Sequence, residues 1–245
     1  MGNRVKNKPI TCKECGQTVL KESYKTDLFC TKKCSGNFRR RKPIFNFSKV
    51  TAESAYWAGF IFGDGYVSEN KLGLCLAKNE SNKKLLKELS IFLMGYDVSR
   101  EYKLCLSFKV RDLDLVNNLK KFGIIKNKTY DGTLILPKYH KKHFIRGYFD
   151  ADGWISVGRF LHKGVNKYYP RYCLGICSYL EENLLIINEE LPIKGTISKK
   201  RTQELYELRF GSKLKINKIC RYLNGSPNLE RKWTKITSNG LLLPN

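Results

Sequence analysis

The chain has 245 residues, with 46 Lys and Arg against 22 Asp and Glu, which gives a net charge of +24 at neutral pH. This length admits one large domain or two small ones, and a hydrophobic content of 42% excludes a wholly disordered chain. We expect a cytoplasmic protein, because no apolar run is long enough to cross a bilayer and the first residues lack the apolar stretch of a secretory signal. The charge favours nucleic acid as the partner over an anionic membrane surface.

The first 42 residues form a separate segment with too few apolar residues for a core of its own, so it needs a covalent or metal staple. Four cysteines in it have the spacing C-x2-C-x14-C-x3-C, which predicts a structural, tetrahedral Zn²⁺ site, with disulfides as the alternative. The four predicted ligands are Cys12, Cys15, Cys30 and Cys34. The five other cysteines have apolar neighbours, and we expect them to be buried free thiols.

The rest of the chain contains an internal repeat with an offset of 88 residues. Residues 55–68 (AYWAGFIFGDGYVS) parallel residues 143–156 (HFIRGYFDADGWIS). Four aligned pairs are identical: Gly59 and Gly147, Asp64 and Asp152, Gly65 and Gly153, and Ser68 and Ser156.

Similar elements follow each copy of the repeat. Alternating apolar positions predict strands over 71–77, 103–110, 171–177 and 206–210, with Leu104 among the buried positions. Helices follow whose predicted N-caps are Ser81, Asp112, Ser178 and Ser212. Each half therefore predicts the order αββαββα in an α+β fold with antiparallel sheets. The predicted modules are residues 1–42, 43–138 and 139–245.

The two repeated segments predict a pair of helices that pack closely and end in aspartate. Gly59 and Gly63 in one copy, and Gly147 and Ala151 in the other, place small residues on one stripe, which lets two backbones approach. The glycine that follows each acid suits a left-handed residue after the helix. Carboxylates beside two helix C-termini repel one another unless cations bind there, so Asp64 and Asp152 predict a divalent-metal site. The alternative is that Asp-Gly is only a turn dipeptide.

The paired segments resemble the signature of the LAGLIDADG homing endonucleases, and residues 145–153 (IRGYFDADG) are the closer match. The resemblance implies a monomer built from two pseudo-symmetric repeats, with sheets that form a saddle over double-stranded DNA. It implies hydrolysis of both strands with Mg²⁺ or Mn²⁺ held by Asp64 and Asp152, helped by the carbonyls of Gly63 and Ala151. The first copy departs from the signature, since Phe62 stands where the second copy has Asp150.

The resemblance also points to three lysines near the predicted metal site. Lys78 is similar to a position that orders water in the family, and Ser178 is its predicted counterpart in the second repeat. Lys128 and Lys232 resemble the late basic positions of the two halves. For each lysine the alternative is an exposed residue or a contact with phosphate.

The strand pattern predicts a basic face opposite the leucines, suited to phosphates and base edges. Its predicted members are Lys71, Lys103, Lys109, Arg171 and Arg209, extended by Arg159, Lys163 and Lys167. The arm after the cysteine module is also expected to contact DNA, with protein contact as the alternative; its residues are Arg39, Arg40, Arg41 and Lys42.

Two other functions fit the same fold. One is a DNA-binding regulator without catalysis, which the retention of both Asp64 and Asp152 disfavours. The other is an intron-splicing maturase, because a basic saddle also binds structured RNA.

Overall fold

A computed structural model describes residues 7–22, 28–162, 164–201 and 203–242. Contacts between Cα atoms divide the chain into two compact units, residues 1–42 and residues 43–245. Lys163 lies outside the described residues. Among the described residues, no helix combines the length and the apolar character that a membrane crossing needs.

The N-terminal unit contains one hairpin and one helix. Strand β1 (Asn7–Thr11) pairs antiparallel with β2 (Thr18–Glu22), and helix α1 covers Lys32–Arg40. The side chain of Thr31 begins α1 by accepting a hydrogen bond from the backbone N–H of Cys34. Among the described residues of this unit, Cys12 is the only one with a buried apolar side chain. The hairpin and helix therefore depend on contacts other than a hydrophobic core.

The larger unit contains two successive sets of elements. The first comprises α2 (Ala52–Asp64), β3 (Gly65–Ser68), β4 (Lys71–Ala77), α3 (Glu80–Met94), β5 (Arg100–Glu101), β6 (Cys105–Arg111), α4 (Leu113–Leu119), a 3-10 turn (Lys120–Phe122) and α5 (Lys128–Asp131). The second comprises α6 (Lys141–Asp152), β7 (Gly153–His162), β8 (Lys167–Ser178), α7 (Glu181–Glu190), β9 (Thr196–Lys199), β10 (Tyr206–Phe210), α8 (Lys213–Leu223) and α9 (Glu230–Ser238).

The two sheets share one topology. Each has four antiparallel strands, in the order β3-β4-β6-β5 in the first and β7-β8-β10-β9 in the second. Leu74 lies opposite Gly65 in the first sheet, and Ile176 lies opposite Gly153 in the second. The predicted α+β fold with two αββαββα repeats is confirmed.

Two of the four predicted helix starts agree with the structure, and two do not. Asp112 and Ser212 cap α4 and α8 through their side chains, as predicted. Helix α3 instead begins after Asn79, whose side chain accepts from the backbone N–H of Asn82, so the predicted cap at Ser81 is wrong. Ser178 is not a cap either, because α7 begins three residues later, at Glu181.

The strand predicted from residue 103 starts later than expected. Strand β6 begins at Cys105, and Leu104, predicted to be buried, is 83% exposed. The buried side of β6 is formed by Leu106, Phe108 and Val110. The alternation of apolar residues extends beyond the start of β6 into the preceding loop, where Leu104 is not buried.

The hairpins that follow the two repeated helices differ in length. Strands β3 and β7 have four and ten residues, which correspond to about 13 Å and about 33 Å of extended chain. The outer part of the longer hairpin is exposed, including Phe160 and Tyr169, whose ring centres lie 5.9 Å apart. The second repeat therefore extends its sheet well beyond the length of the first.

Candidate active site

Helices α2 and α6, the motif helices, pack with their backbones in direct contact. A Cβ added to Gly59 would lie 1.9 Å from the carbonyl oxygen of Phe144, and one added to Gly147 would lie 1.9 Å from that of Tyr56. Farther along, a Cβ on Gly63 would lie 2.3 Å from the Cβ of Ala151. Only small residues allow this approach, so the stripe that the sequence carries brings the ends of the two helices together.

Each motif helix passes directly into a strand through the glycine after its aspartate. Gly65 has φ −83° and ψ 161°, and Gly153 has φ −83° and ψ 158°, so neither is left-handed and that prediction is wrong. The glycines are needed for space instead. A Cβ on Gly65 would lie 2.6 Å from the carbonyl oxygen of Ile61, and one on Gly153 would lie 2.2 Å from the Phe149 ring.

The two motif aspartates lie side by side at the helix ends. A Cβ on Gly63 would come within 3.0 Å of Oδ2 of Asp152, so the Asp152 carboxylate rests against the residue before Asp64. Asp152 is half-buried, and desolvation together with the charge of Asp64 raises its pKa to about 6. The pKa of Asp64 is raised by desolvation, against the opposing charges of nearby lysines, although its side chain retains access to solvent. Paired carboxylates whose ionised forms are disfavoured make a site for cations.

A buried lysine lies at the end of each motif helix. Lys128 Nζ donates to the carbonyl oxygen of Gly63 at 2.8 Å, and Lys232 Nζ donates to that of Ala151 at 3.2 Å. Desolvation lowers the pKa of both lysines to about 8, against the attraction of the neighbouring carboxylates. Cations at helix C-termini are favourable, and these two add positive charge beside the paired acids. They also donate to the two carbonyls predicted as metal ligands, so a metal ion there would use the second lone pair of each oxygen.

Sheet alternation divides the strand residues between a core face and an open face, which we define as the side turned away from the leucines. The open face is exposed over most of its length and carries both predicted and unpredicted cations. Lys71, Lys109, Arg171 and Arg209 lie on it, together with Arg111, which the sequence analysis missed. Lys167 pairs with His162 farther out on the same face.

Two predicted members of the basic face, Lys103 and Arg159, fall elsewhere, and a third lies outside the described residues. Lys103 lies in the exposed loop between β5 and β6 and not in a strand. Arg159 pairs with Pro170 and alternates with Gly158, so its register places it on the side of Ile155 and not on the open face. Lys163 lies outside the described residues and keeps no assigned position.

An aromatic ring lies on the open face two residues after each motif aspartate. Lys71 Nζ lies 5.3 Å from the centre of the Tyr66 ring, and Arg209 Cζ lies 5.7 Å from that of Trp154. Each ring is pressed against a glycine of the next strand, where a Cβ would come within 2.3 Å or 2.6 Å of it: Gly73 and Gly175, respectively. Each ring therefore lies beside a cation on the open face of its own sheet.

The open face also carries a buried acid that the sequence analysis missed. Oε2 of Glu207 lies 2.8 Å from Nε of Arg209, and Oε1 lies 3.2 Å from Nζ of Lys200. The acid fixes the direction of both cations. In the sequence, Glu207 is marked only by its alternation with the core residues of β10. That pattern does not distinguish a residue that contacts a ligand from one that orients its neighbours.

Thiols of the larger unit are more accessible than predicted. Cys220 is buried, but Cys75 is exposed, and Cys105, Cys173 and Cys177 are half-buried. The four accessible thiols are odd-numbered residues that alternate with core leucines and isoleucines, so the register turns them toward the open face. The expectation of buried thiols is therefore wrong for Cys75.

The four cysteines of the N-terminal unit converge on one point. Their Sγ atoms all lie within 4.8 Å of one another, and those of Cys15 and Cys30 are 3.5 Å apart. Four sulfurs at about 2.3 Å from one ion in a tetrahedron would be about 3.8 Å apart, so the arrangement fits Zn²⁺. In the same unit α1 ends at Arg40, and the Arg41 guanidinium lies 2.8 Å from Glu14.

Residues 145–238 match the family described as LAGLIDADG endonuclease. Several solved structures share the fold, among them the following three. I-AabMI, a meganuclease bound to uncleaved DNA, has 13% identity, a TM-score of 0.55 and coverage of 79% of this chain and 94% of that chain. I-LtrWI, bound to target DNA, has 14% identity, a TM-score of 0.55 and coverage of 78% and 90%. I-SmaMI, bound to cleaved DNA, has 12% identity, a TM-score of 0.53 and coverage of 79% and 92%.

The chain has the LAGLIDADG meganuclease fold. The family match begins inside the second motif helix, at residue 145. The first repeat lies outside that match, and its likeness rests on the shared fold of the solved structures. No curated protein sequence matches the chain.

Within this LAGLIDADG fold, four of the five residues predicted to be catalytic come together: Asp64, Asp152, Lys128 and Lys232. Lys78 is engaged elsewhere, since its Nζ lies 2.6 Å from Oε1 of Glu101 on β5. The sheet registers align Leu74 with Ile176, an offset of 102, so the counterpart of Lys78 is Leu180 and not Ser178. The roles of all five remain predictions.

Proposed function

We propose that the protein is a site-specific DNA endonuclease that hydrolyses both strands of a long target. The observation that carries this proposal is the pair of motif aspartates at the ends of two closely packed helices, each helix end capped by a buried lysine. The family match of residues 145–238 and the DNA-bound structures of the same fold support DNA as the substrate. The net charge of +24 supports the same partner.

Asp64 and Asp152 would hold the divalent metal, Mg²⁺ or Mn²⁺, with the carbonyls of Gly63 and Ala151 as further oxygen donors. Hard oxygen donors with two carboxylates fit this class of ion. When bound, such an ion lowers the pKa of a water molecule and stabilises the leaving 3′ oxygen. Desolvation and the charge of Asp64 raise the pKa of Asp152. A bound cation would relieve the repulsion between the two acids, and that relief contributes to its affinity.

Lys128 and Lys232 hold positive charge beside the acids and would stabilise the charge that develops on the phosphate. Both ammonium groups are bound to carbonyls at the helix ends, so each has a fixed place before substrate arrives. A preorganised cation loses little free energy to reorganisation during the reaction. Lys78, exposed and paired with Glu101, would act at a distance from the acids.

The open face would contact DNA. Arg171 and Lys109 are exposed there without a carboxylate partner among the described residues, which suits phosphate contact, whereas Arg209 is oriented by Glu207 and suits contact with a base edge. We assign residues 43–138 and 139–245 to the two half-sites. We assign residues 1–42 to a Zn²⁺-stapled module whose arm, from Arg39 to Lys42, adds to DNA contact.

The test is cleavage of a randomised DNA library with Mg²⁺, followed by sequencing of the ends. We expect cuts in both strands at one family of sites, and no cuts with Asp64→Asn or Asp152→Asn although both variants still bind DNA. Cleavage that is unchanged in both variants would remove the metal-site assignment. Binding of DNA with no cleavage by the wild-type protein under any divalent metal would favour the regulator, and tighter binding to structured RNA would favour the maturase.

A further inference from the structure

We propose that Asp150 is a positioning residue that holds Lys232 at the end of α6, and that it serves only one of the two lysines of the site. The consequence for cleavage rests on the proposed function, whereas the positioning itself is a property of the protein without DNA. The two cleavage centres are then unequal, because Phe62 stands at the corresponding place in the first repeat.

Lys232 is bound through its ammonium group to the last turn of α6. Its Nζ donates to the carbonyl oxygens of Phe149 at 2.8 Å, Asp150 at 2.6 Å and Ala151 at 3.2 Å. The side chain is 7% exposed. Because all three N–H groups of the ammonium donate to carbonyl oxygens, its position is fixed as long as α9, which carries Lys232, does not move.

The carboxylate of Asp150 fixes α9 on both sides of Lys232. Its Oδ2 accepts from the backbone N–H of Leu229, the residue before α9, at 2.7 Å. Its Oδ1 accepts from Nε1 of Trp233, the residue after Lys232, at 2.9 Å. The hydroxyl of Tyr56 on the other motif helix donates to Oδ2 at 2.9 Å. Asp150 is fully buried, so each of these charge-assisted bonds forms without competition from water.

Arg146, one turn earlier on α6, fixes the segment that leads into α9. Its Nε and Nη2 donate to the carbonyl oxygens of Pro227 and Ser226, at 3.1 Å and 2.9 Å. Its guanidinium lies 5.0 Å from the centre of the Tyr56 ring. Arg146 and Asp150 together bind four positions between Ser226 and Trp233, in the approach to α9 and its first turn, to one motif helix.

The first repeat holds its lysine by different means. Phe62 offers only a ring, 5.6 Å from Nζ of Lys128. The segment after Lys128 is bound by Asn183 on α7, whose Nδ2 donates to the carbonyl oxygen of Gly132 at 3.1 Å and whose Oδ1 accepts from the N–H of Leu134 at 2.7 Å. Loss of the Asp150 carboxylate therefore releases Lys232 and leaves the bonds around Lys128 intact.

Each lysine lies at the end of a different motif helix, so we assign each to a different scissile phosphate. A displacement of about 1 Å in a catalytic group costs about 100-fold in rate. Removal of the Asp150 carboxylate should therefore slow one strand about 100-fold and leave the other strand at its wild-type rate. The product that accumulates is a nicked duplex.

The first arm of the test measures Lys232 without DNA. Acetylation by a small acylating reagent is followed at each lysine by mass spectrometry in the wild-type protein, Asp150→Asn and Asn183→Ala. We expect Lys232 to react about tenfold faster in Asp150→Asn, the factor for loss of one net hydrogen bond, with Lys128 unchanged. Asn183→Ala should give the reverse. Equal changes at both lysines, or none at Lys232, would overturn the positioning.

The second arm measures each strand on a target duplex with a different fluorophore at each 5′ end. Asp150→Asn should slow one strand, and in a Lys232→Met background it should add nothing, because the two changes act through one group. Additive losses, or equal slowing of both strands, contradict the proposal. Trp233→Phe removes one donor and keeps the ring, so it gives the same bias if Asp150→Asn does not fold. If the wild-type protein cuts no DNA, the proposed function fails while the acetylation arm still decides the positioning.

Discussion

Replacing Asp152 with asparagine should stabilise the protein in the absence of metal while abolishing cleavage. The pKa of Asp152 is raised from 3.8 to about 6, chiefly by desolvation and then by the charge of Asp64. Each unit of pKa corresponds to about 1.36 kcal/mol, so a rise of about two units gives an upper limit of about 3 kcal/mol. Because the side chain is only half-buried, screening by solvent reduces this to about 1–3 kcal/mol. A melting temperature about 3–9 °C higher follows for a domain of this size.

The pH dependence of the gain has a defined sign. Well below pH 3.8 Asp152 is protonated in both the folded and the unfolded states, and its ionisation then makes no contribution to the stability difference between the two proteins. As the pH rises from about 4 to about 6, the unfolded state ionises more readily than the folded state, so folding loses stability. The advantage of Asp152→Asn should therefore grow through that window and stay constant above it.

Divalent metal should reduce or reverse the stability advantage of Asp152→Asn over the wild-type protein. An ion that binds only the folded protein stabilises it by about 2.7 kcal/mol at 100 times its dissociation constant. The wild-type protein gains that amount, whereas Asp152→Asn gains less because one ligand has lost its charge. Thermal unfolding with and without Mg²⁺, at several pH values, gives both comparisons from the same samples.

Asp131 provides the matched control for Asp152. It also ends a helix and precedes a glycine, but it is exposed at the end of α5. Asp131→Asn should leave stability unchanged across the same pH range. Destabilisation by Asp152→Asn at pH 7, or a gain that does not vary between pH 4 and pH 6, would refute the account of two crowded carboxylates.

Three further predictions test the packing, the zinc module and the open face. Gly147→Ala should destabilise the protein by at least about 3 kcal/mol in urea unfolding, since the backbones must separate, whereas Gly158→Ala, which meets nothing within 4 Å, should cost little; similar losses would contradict the packing. Chelation of zinc, or Cys12→Ser with Cys15→Ser, should expose residues 1–42 to hydrogen exchange without changing the core; a zinc-free native protein would exclude the site. Arg171→Ala should lower the slope of log affinity against log salt by about 1, and an unchanged slope would remove this phosphate contact.

The repeat could be predicted because its glycines are tolerated inside helices only where the two helix backbones pack closely together. Glycines at 59 and 147 are costly inside helices unless another backbone lies against them, and both meet one. Alternating leucines on β4 predicted which side of the strand is buried. These features depend on local periodicity, which a single sequence carries in full.

The features that the sequence analysis missed depend on contacts between distant residues. Asp150 binds Tyr56, 94 positions away, and Trp233, 83 positions away, and no local pattern marks that network. Glu207 was hidden for the same reason, because an acid on an exposed face gives no sign of being buried under two cations. The left-handed conformation predicted for the glycine after each aspartate was wrong because the following residues continue directly into a strand.

The most direct test of the central claim is anomalous scattering from Mn²⁺ in crystals of the protein with the duplex selected in the library experiment. The account predicts peaks about 2.0–2.2 Å from carboxylate oxygens of both Asp64 and Asp152, next to the phosphates that are cut. Peaks bound by other residues, or aspartates that lie away from the cleaved phosphates, would contradict it.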